Sequence, residues 1–363
     1  MGDQIETKYQ LVKDYITEYI QKGALKFNDK IYSELELMNL FNVSRHTVRK
    51  AIDDLVNEGW LYKKQGKGTF ISNPKANEEK QGRLIGVVAT YLNDYIFPEI
   101  ITGIDHILSQ NGYSILLGNT NNKIEKERLV LKNMLEQQLD GLILEPTKSV
   151  FPSHNKDILQ KFIDRGIPIL YIHASYSNLP SSYIMEDDVK AGYIATEHLV
   201  GLGHKKIGSI FKNDDLQGHG RYEGMIDCLR QYDLPIDEEC MVWFSTEDQK
   251  LFSDEAYTKM ILKRLADCTA LICYNDQIAL QMMEILKRNQ IFVPEDLSIV
   301  SFDNSNLAGN VEVKLTTIAH PKAALGERAA SALLQMIQDK TIRIQEKMEP
   351  VLVERASTRQ MEG

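Results

Sequence analysis

Cysteine is scarce in this chain: Cys228, Cys240, Cys268 and Cys273 are the only four in 363 residues, and none is spaced as Cys-x-x-Cys. That pattern fits reduced thiols and argues against a disulfide frame or a zinc site. Long apolar runs are missing too. Stretches such as Leu84–Ala89 and Leu142–Leu144 end far short of the ~20 residues a membrane-crossing helix needs. Gly 22 and Pro 10 are too few for a fibrous or low-complexity chain. The start, Met1 to Glu6, lacks a basic stretch followed by an apolar one, so the expectation is a cytoplasmic chain without a secretory signal. There is also no Gly-x-Ser-x-Gly elbow, phosphate-cradling glycine loop or His-Glu-x-x-His helix. His198, His204 and His320 stand isolated, which suits structural, hydrogen-bonded roles. What remains is a globular composition, 43% hydrophobic and 26% charged, long enough for two to three domains.

A net charge of −9 disfavours nucleic acid only if it is evenly spread, and here it is not. Residues 1–72 hold eleven basic and ten acidic groups, leaving 31 basic against 41 acidic in the rest. A near-neutral head can bind phosphate if its cations share a face, while an acidic body repels it. Between them Asn73-Pro74-Lys75-Ala76-Asn77-Glu78-Glu79-Lys80-Gln81-Gly82 is polar and has almost nothing to bury. It reads as a linker, so the domains are 1–72 and 83–363 with a tether at 73–82.

In the head, Val12, Tyr15, Ile16, Tyr19 and Ile20 repeat at helical spacing and predict a helix over 9–22. Ser33-Glu34-Leu35-Glu36 is a capping box that starts a second helix. Ser44 caps a third, reaching Asn57, whose apolar stripe is Val48, Ala51, Ile52 and Leu55. His46, Arg49 and Asp53 fall on the opposite face, with Arg45 and Lys50 at its edges. Gly59 stops the helix, and Leu61–Lys64, Gln65–Gly68 and Thr69–Ile71 read as strand, glycine turn and strand.

That order is a winged helix-turn-helix. Its third helix can enter a major groove with Arg45, His46, Thr47 and Arg49 near the base edges. On the hairpin, Lys63, Lys64 and Lys67 can contact phosphate, Gly66 and Gly68 allow close backbone approach, and Gln65 can reach a base. A solvated polar face that binds protein fits the same pattern. The wording of Glu34-Leu35-Glu36-Leu37, Val43-Ser44-Arg45-His46-Thr47-Val48-Arg49-Lys50-Ala51, Leu55, Glu58-Gly59 and Gly66-Lys67-Gly68-Thr69-Phe70 closely resembles the winged-helix domain of the GntR family of bacterial repressors, across residues 5–72. The resemblance implies that Arg45, His46, Thr47 and Arg49 read operator DNA, with Ser44 in the same set. It also implies that Lys8 and Glu34 orient or touch the site, and that Gln65, Gly66, Lys67 and Gly68 form the wing tip. Beside DNA, Glu34 has two uses: accepting a cytosine amino proton or positioning an arginine.

From Leu84 to Phe302 apolar runs alternate with amphipathic stretches, predicting doubly wound parallel sheets in two lobes with a ligand cleft between them. Ligands of such sheets bind at the carboxyl ends of strands. That rule selects Tyr91, Tyr95 and Phe97, then Glu145, His173 and Tyr176. It also selects Arg221, which opens a helix after Gly218-His219-Gly220, with Phe244, Asn275 and Asp303. Charged planar groups grip hydroxyls and rings stack on apolar sugar faces, so the set suits a sugar. Phe244 and Tyr95 also fit plain core packing, and Asp276 is expected to cap the helix beginning at Gln277. Glu145 with Asp303 fits a two-carboxylate glycosidase by spacing, a chemistry with no use for a DNA reader.

Here too the wording carries a likeness. Asp188-Val189-x-Ala191-Gly192, Glu197-His198-Leu199-x-x-Leu202-Gly203-His204, Arg221-x-x-Gly224, Asn275-Asp276-x-x-Ala279 and Val293-Pro294-Glu295-Asp296-Leu297-Ser298-Ile299-Val300-x-x-Asp303 resemble the effector domain of LacI/GalR repressors over residues 83–358. By position this implies a periplasmic-binding-protein-like domain in which Arg221, Asn275 and Asp303 hold the sugar and Phe244 stacks nearby. The chain departs from that family in its head and in lacking a linker helix.

Tyr91-x-x-Asp94-Tyr95-Ile96-Phe97-Pro98, Glu145-Pro146-Thr147-Lys148-Ser149, Ala174-Ser175-Tyr176 and Cys273-Tyr274-Asn275-Asp276 look like the arabinose-responsive repressors of Firmicute bacteria. The resemblance implies L-arabinose as effector and arabinose-utilisation operators as targets. No metal or other cofactor is expected, and the working arrangement is a homodimer that leaves its operator when the sugar binds. The alternatives are a repressor answering another pentose, a hexose or a nucleoside, and a sugar-processing enzyme.

Overall fold

Helical spacing in the head becomes α1 (Lys8–Gln21), α2 (Glu34–Phe41) and α3 (Arg45–Asn57), followed by the hairpin β1 (Leu61–Lys64) and β2 (Gly68–Ile71). The computed structural model describes residues 8–22, 25–64, 67–72, 83–92, 95–148, 151, 154–176 and 179–361. Its contacts divide the chain into Met1–Gly82 and Arg83–Gly363. In the head, Ser33 and Glu36 exchange the reciprocal bonds of a capping box. Asn42 closes α2 in the left-handed region, at φ 47°. Val12, Ile16, Leu37, Val48, Ala51, Ile52, Leu55, Leu61 and Ile71 are buried together. Burying each large apolar side chain contributes about 1.5–3 kcal/mol, which fixes α3 and the hairpin on one core.

The second unit has two lobes. The first contains β3 (Arg83–Ala89), α4 (Phe97–Gln110), β4 (Tyr113–Asn119), α5 (Ile124–Leu135), β5 (Gly141–Leu144), α6 (Lys156–Asp164), β6 (Ile169–Ile172) and β7 (Ser182–Glu186). The second contains α7 (Asp188–Gly201), β8 (Ile207–Lys212), α8 (Leu216–Gln231), β9 (Met241–Phe244), α9 (Glu255–Arg264), β10 (Ala270–Cys273), α10 (Asp276–Arg288), β11 (Ser298–Asp303), α11 (Asn306–Gly309) and β12 (Thr316–Ala319). The chain then returns to the first lobe with α12 (Lys322–Gln338) and β13 (Gln345–Met348), and ends in the second with β14 (Val351–Val353).

The sheet orders are β13-β7-β6-β5-β3-β4 and β14-β12-β11-β10-β8-β9. Every pairing is parallel except β12 with β14. The lobes are therefore joined by three strand-end crossings, at 186–188, 319–322 and 348–351. Within each lobe a helix pair packs backbone to backbone. A Cβ on Gly224 of α8 would stand 1.8 Å from Val189 O of α7, and one on Gly326 of α12 would stand 2.1 Å from Ile100 O of α4.

Two local expectations are corrected. Helix α8 begins at Leu216, capped by Asp215, so Arg221 sits inside the helix instead of opening it. Gly218 and Gly220 are there for close packing: a Cβ on Gly218 would lie 2.0 Å from Lys212 O. Helix α10 begins one residue early, and its cap is Asn275, whose side chain accepts from Ile278 N. The Asp276 carboxylate is buried instead, accepting from Ser301 Oγ, Thr317 Oγ1 and Ser305 N at 2.5, 2.8 and 2.6 Å. The structure also adds the helix α12 and the strands β7 and β12–β14, and strands of three to five residues are too short to show a period.

Candidate DNA face and effector cleft

On the head, Ser44 opens α3 by accepting from Thr47 N at 3.2 Å, which turns the following residues outward. Arg45 Nε and Arg49 Nε donate to the two oxygens of Glu34, at 2.8 and 2.9 Å, while both arginines stay more than half exposed. The bond from Arg45, then that from Arg49, holds the Glu34 carboxyl below its usual range. Of the two uses expected for Glu34, the contact made is to the arginines. His46 is exposed beside them, and Lys8 Nζ donates to Asn42 O at 3.3 Å. In the wing, Lys67 and Gly68 are exposed, and Gly68 has φ 116°, a conformation that favours glycine. Gln65 and Gly66 lie outside the described residues. Lys63 pairs with Asp53 at 2.5 Å, and Lys64 lies over the rings of Tyr62 and Phe70. Both are engaged within the head.

In the second unit, a cleft at the carboxyl ends of both sheets is lined by Tyr91, Phe97, Glu145, His173, Arg221, Phe244, Asn275 and Asp303. Eight of the ten residues selected from strand ends thus come together. Tyr95 lines an adjoining hollow and donates its hydroxyl to Asp303 Oδ2 at 2.5 Å. Tyr176 does not belong to the cleft. It is buried behind it, donating to Glu127 Oε1 at 3.2 Å, because its loop turns inward toward α5. The cleft also takes in Thr90, Asn122, Lys212, Asp215, Tyr274 and His320, which the sequence reading missed. Lys212 ends β8 and His320 follows β12, so the strand-end rule would have found them once those ends were known. His320 is also not isolated: its Nε2 lies 3.0 Å from His173 Nε2. His198 and His204 hydrogen-bond to Thr358 and Thr269.

Arg221 is almost wholly buried, yet it is charged and held by partners on two of its three nitrogens. Its Nε donates to Asp188 Oδ1 at 3.0 Å and its Nη1 to Tyr274 O at 2.6 Å, and Glu186 Oε2 lies 3.8 Å away. Its plane covers the Phe302 ring, 4.3 Å from the centroid. Burial raises the Glu186 carboxyl to about 8 and that of Asp303 to about 6, although Arg221 opposes both shifts. On the first lobe, Glu145 accepts from Thr90 N at 2.7 Å and from His173 Nδ1 at 2.9 Å. Burial alone lowers a histidine, but the Glu145 carboxylate outweighs it and raises His173. His173 and Asp303 both sit in the left-handed region, at φ 62° and 104°. Such strain persists only where surrounding bonds hold it, and is concentrated at functional sites. The arrangement offers paired donors and acceptors with rings between them, and this fits a polyhydroxylated ligand.

Two family profiles match parts of the chain. Residues 8–71 match the profile of bacterial regulatory proteins of the gntR family, and residues 196–358 match that of the periplasmic binding protein-like domain. The arabinose metabolism transcriptional repressor of Halalkalibacterium halodurans is 43% identical over 338 residues, 92% of this chain and 90% of that one. That of Geobacillus stearothermophilus is 39% identical, over 94% of each chain. Among solved structures, a LacI family transcriptional regulator from Enterococcus faecium with bound ribose superposes with a TM-score of 0.64. It is 27% identical and covers 77% of this chain and all of that one.

A GntR-type DNA reader joined to a two-lobed effector domain defines a ligand-responsive bacterial transcriptional repressor. The chain belongs to the arabinose metabolism transcriptional repressors, and is a DNA-binding regulator rather than an enzyme. Among the described residues no group of three His, Cys, Asp or Glu side chains is placed to hold a metal, and no helix is long and apolar enough to cross a membrane.

Proposed function

We propose that L-arabinose binds the cleft between the lobes and, in doing so, releases a homodimer of this chain from a palindromic operator. Arg45, His46, Thr47 and Arg49 read bases, Glu34 sets the two arginines, and Lys8, Ser44, Lys67 and Gly68 position the head on phosphate. In the cleft, Arg221, Asn275 and Asp303 hold hydroxyls, Glu145 with His173 faces them, and Tyr91, Tyr95, Phe97 and Phe244 border the sugar. The observation that carries the reading is that the Arg221 guanidinium is buried among carboxylates in a cleft with Asp303 and Phe244 on its walls. Neutral hydroxyls can bind there without bringing a further charge into the site. For the sugar to release DNA it must prefer the released state, by a coupling of about 1–3 kcal/mol. The place of action is the cytoplasm, where operators are.

Titration calorimetry of the full chain with L-arabinose, D-ribose, D-xylose and D-galactose tests the assignment. L-arabinose should bind tightest and should lower operator affinity in a gel shift. Tighter binding by any of the other three would replace arabinose as the effector. Sedimentation analysis should give a dimer.

A further inference from the structure

The two lobes also touch at the rim of the cleft, where Asn122 and Tyr91 of its lining adjoin charged side chains that lie outside it. Lys148, on the loop after β5, reaches across to Glu247 Oε1 at 2.6 Å and to Asp214 Oδ2 at 3.8 Å. Beside it Asn122 Nδ2 donates to Thr246 Oγ1 at 2.7 Å, and Tyr91 Oη lies 3.5 Å from the same hydroxyl. Lys148 and Asn122 belong to the first lobe, Asp214, Thr246 and Glu247 to the second. The covalent links between lobes lie at the strand crossings near 186–188, 319–322 and 348–351, so rim contacts break when the mouth opens.

Both halves are held in place by their own lobe. Lys148 N donates to Asn122 Oδ1 at 2.9 Å, and the preceding Thr147 N donates to buried Glu127 Oε2 at 2.9 Å. Opposite, Thr246 N donates to Asp214 Oδ2 at 3.0 Å, while Ser245 N and Oγ are bound by Asp248. Prearranged partners lose little conformational entropy when they meet. Lys148 is a quarter exposed and Glu247 60% exposed, so the pair is partly desolvated on one side and open to screening by salt on the other. The Lys148 ammonium, through its hydrogen bond, holds the Glu247 carboxyl below its usual range.

We propose that Lys148, Glu247 and Asp214 form an electrostatic latch across the cleft mouth that favours the closed lobes and so slows escape of the bound effector. The latch rests on the effector site proposed above; none of its three charged side chains is assigned to the sugar, and Asp214 also pairs with Lys212 of the cleft wall at 3.5 Å. Its signature is a salt dependence that an uncharged sugar cannot supply, since only protein charges would be screened.

Two measurements on the full-length chain test it. In stopped-flow and calorimetry with L-arabinose, Lys148→Met and Glu247→Gln should each raise the dissociation rate several-fold with little change in association rate. Raising NaCl should weaken binding by the wild type but leave Lys148→Met nearly flat. Independently of any sugar, spin labels at Lys123→Cys and Lys250→Cys should give a narrow distance distribution across the mouth, broadened and lengthened by Lys148→Met. Unchanged distances in the variant overturn the latch whatever the effector is. Unchanged off-rate and salt slope overturn its effect on the effector. Failure of the wild type to bind arabinose while the distances respond would instead locate the fault in the choice of sugar.

Discussion

The Nε2 atoms of His173 and His320 face each other at 3.0 Å, so one ring must donate and the other accept. Glu145, on the far side of His173, raises that ring, while burial and then the neighbouring His173 push His320 well below its ordinary value. These opposite shifts make His173 the better donor of the pair and His320 the better acceptor. His320→Phe leaves the buried His173 N–H without a partner, and should cost about 1–3 kcal/mol in urea unfolding. His320→Gln, which keeps an acceptor, should recover part of that loss. Equal stability of the two variants would remove the hydrogen bond from the explanation.

Asp303 gives arabinose binding a pH dependence. Burial raises its carboxyl to about 6, so it is ionised at neutral pH and protonated in mild acid. The ionised form accepts hydrogen bonds from hydroxyls; the protonated form turns one oxygen into a donor and weakens the field on Arg221. Affinity should fall between about pH 7.5 and about pH 5.5, and calorimetry of Asp303→Asn should show weak binding without that slope. Asp303→Ala should still repress and ignore the sugar. A flat wild-type profile would place the hydroxyl contacts elsewhere.

In the head, Glu34 holds Arg45 and Arg49 at once. Glu34→Gln should weaken operator binding about tenfold, a loss near 1.4 kcal/mol, by freeing both guanidinium groups. Arg49→Ala should lose at least as much, since it removes a reading group. Arabinose affinity measured on the same samples should not move. If it does, the two units do not work as assigned.

Gly224→Ala is expected to unsettle the second lobe, because the new Cβ has Val189 O at 1.8 Å. Overpacking of this kind costs about 1–3 kcal/mol, visible as a lower urea midpoint. A shift within error would mean that α7 and α8 part easily.

The division of the chain, the three helices and hairpin of the head, and most strand ends of the cleft could be read from residues alone. Capping at Ser33 and Ser44 and the stripe from Val48 to Leu55 act over one or two turns, so the local order of residues is enough to determine them. Tertiary structure decided the rest. Whether Gly220 makes a turn or a close helix crossing depends on Asp188 of α7, which lies elsewhere in the sequence. Asp276 lost its capping role to Asn275 because Ser301, Ser305 and Thr317 converge on its carboxylate. Tyr176 turned to Glu127, and His320 met His173 across 147 positions, for the same reason. Periodicity reports which face a side chain takes on its own element; the partner it meets is chosen only when two distant elements pack.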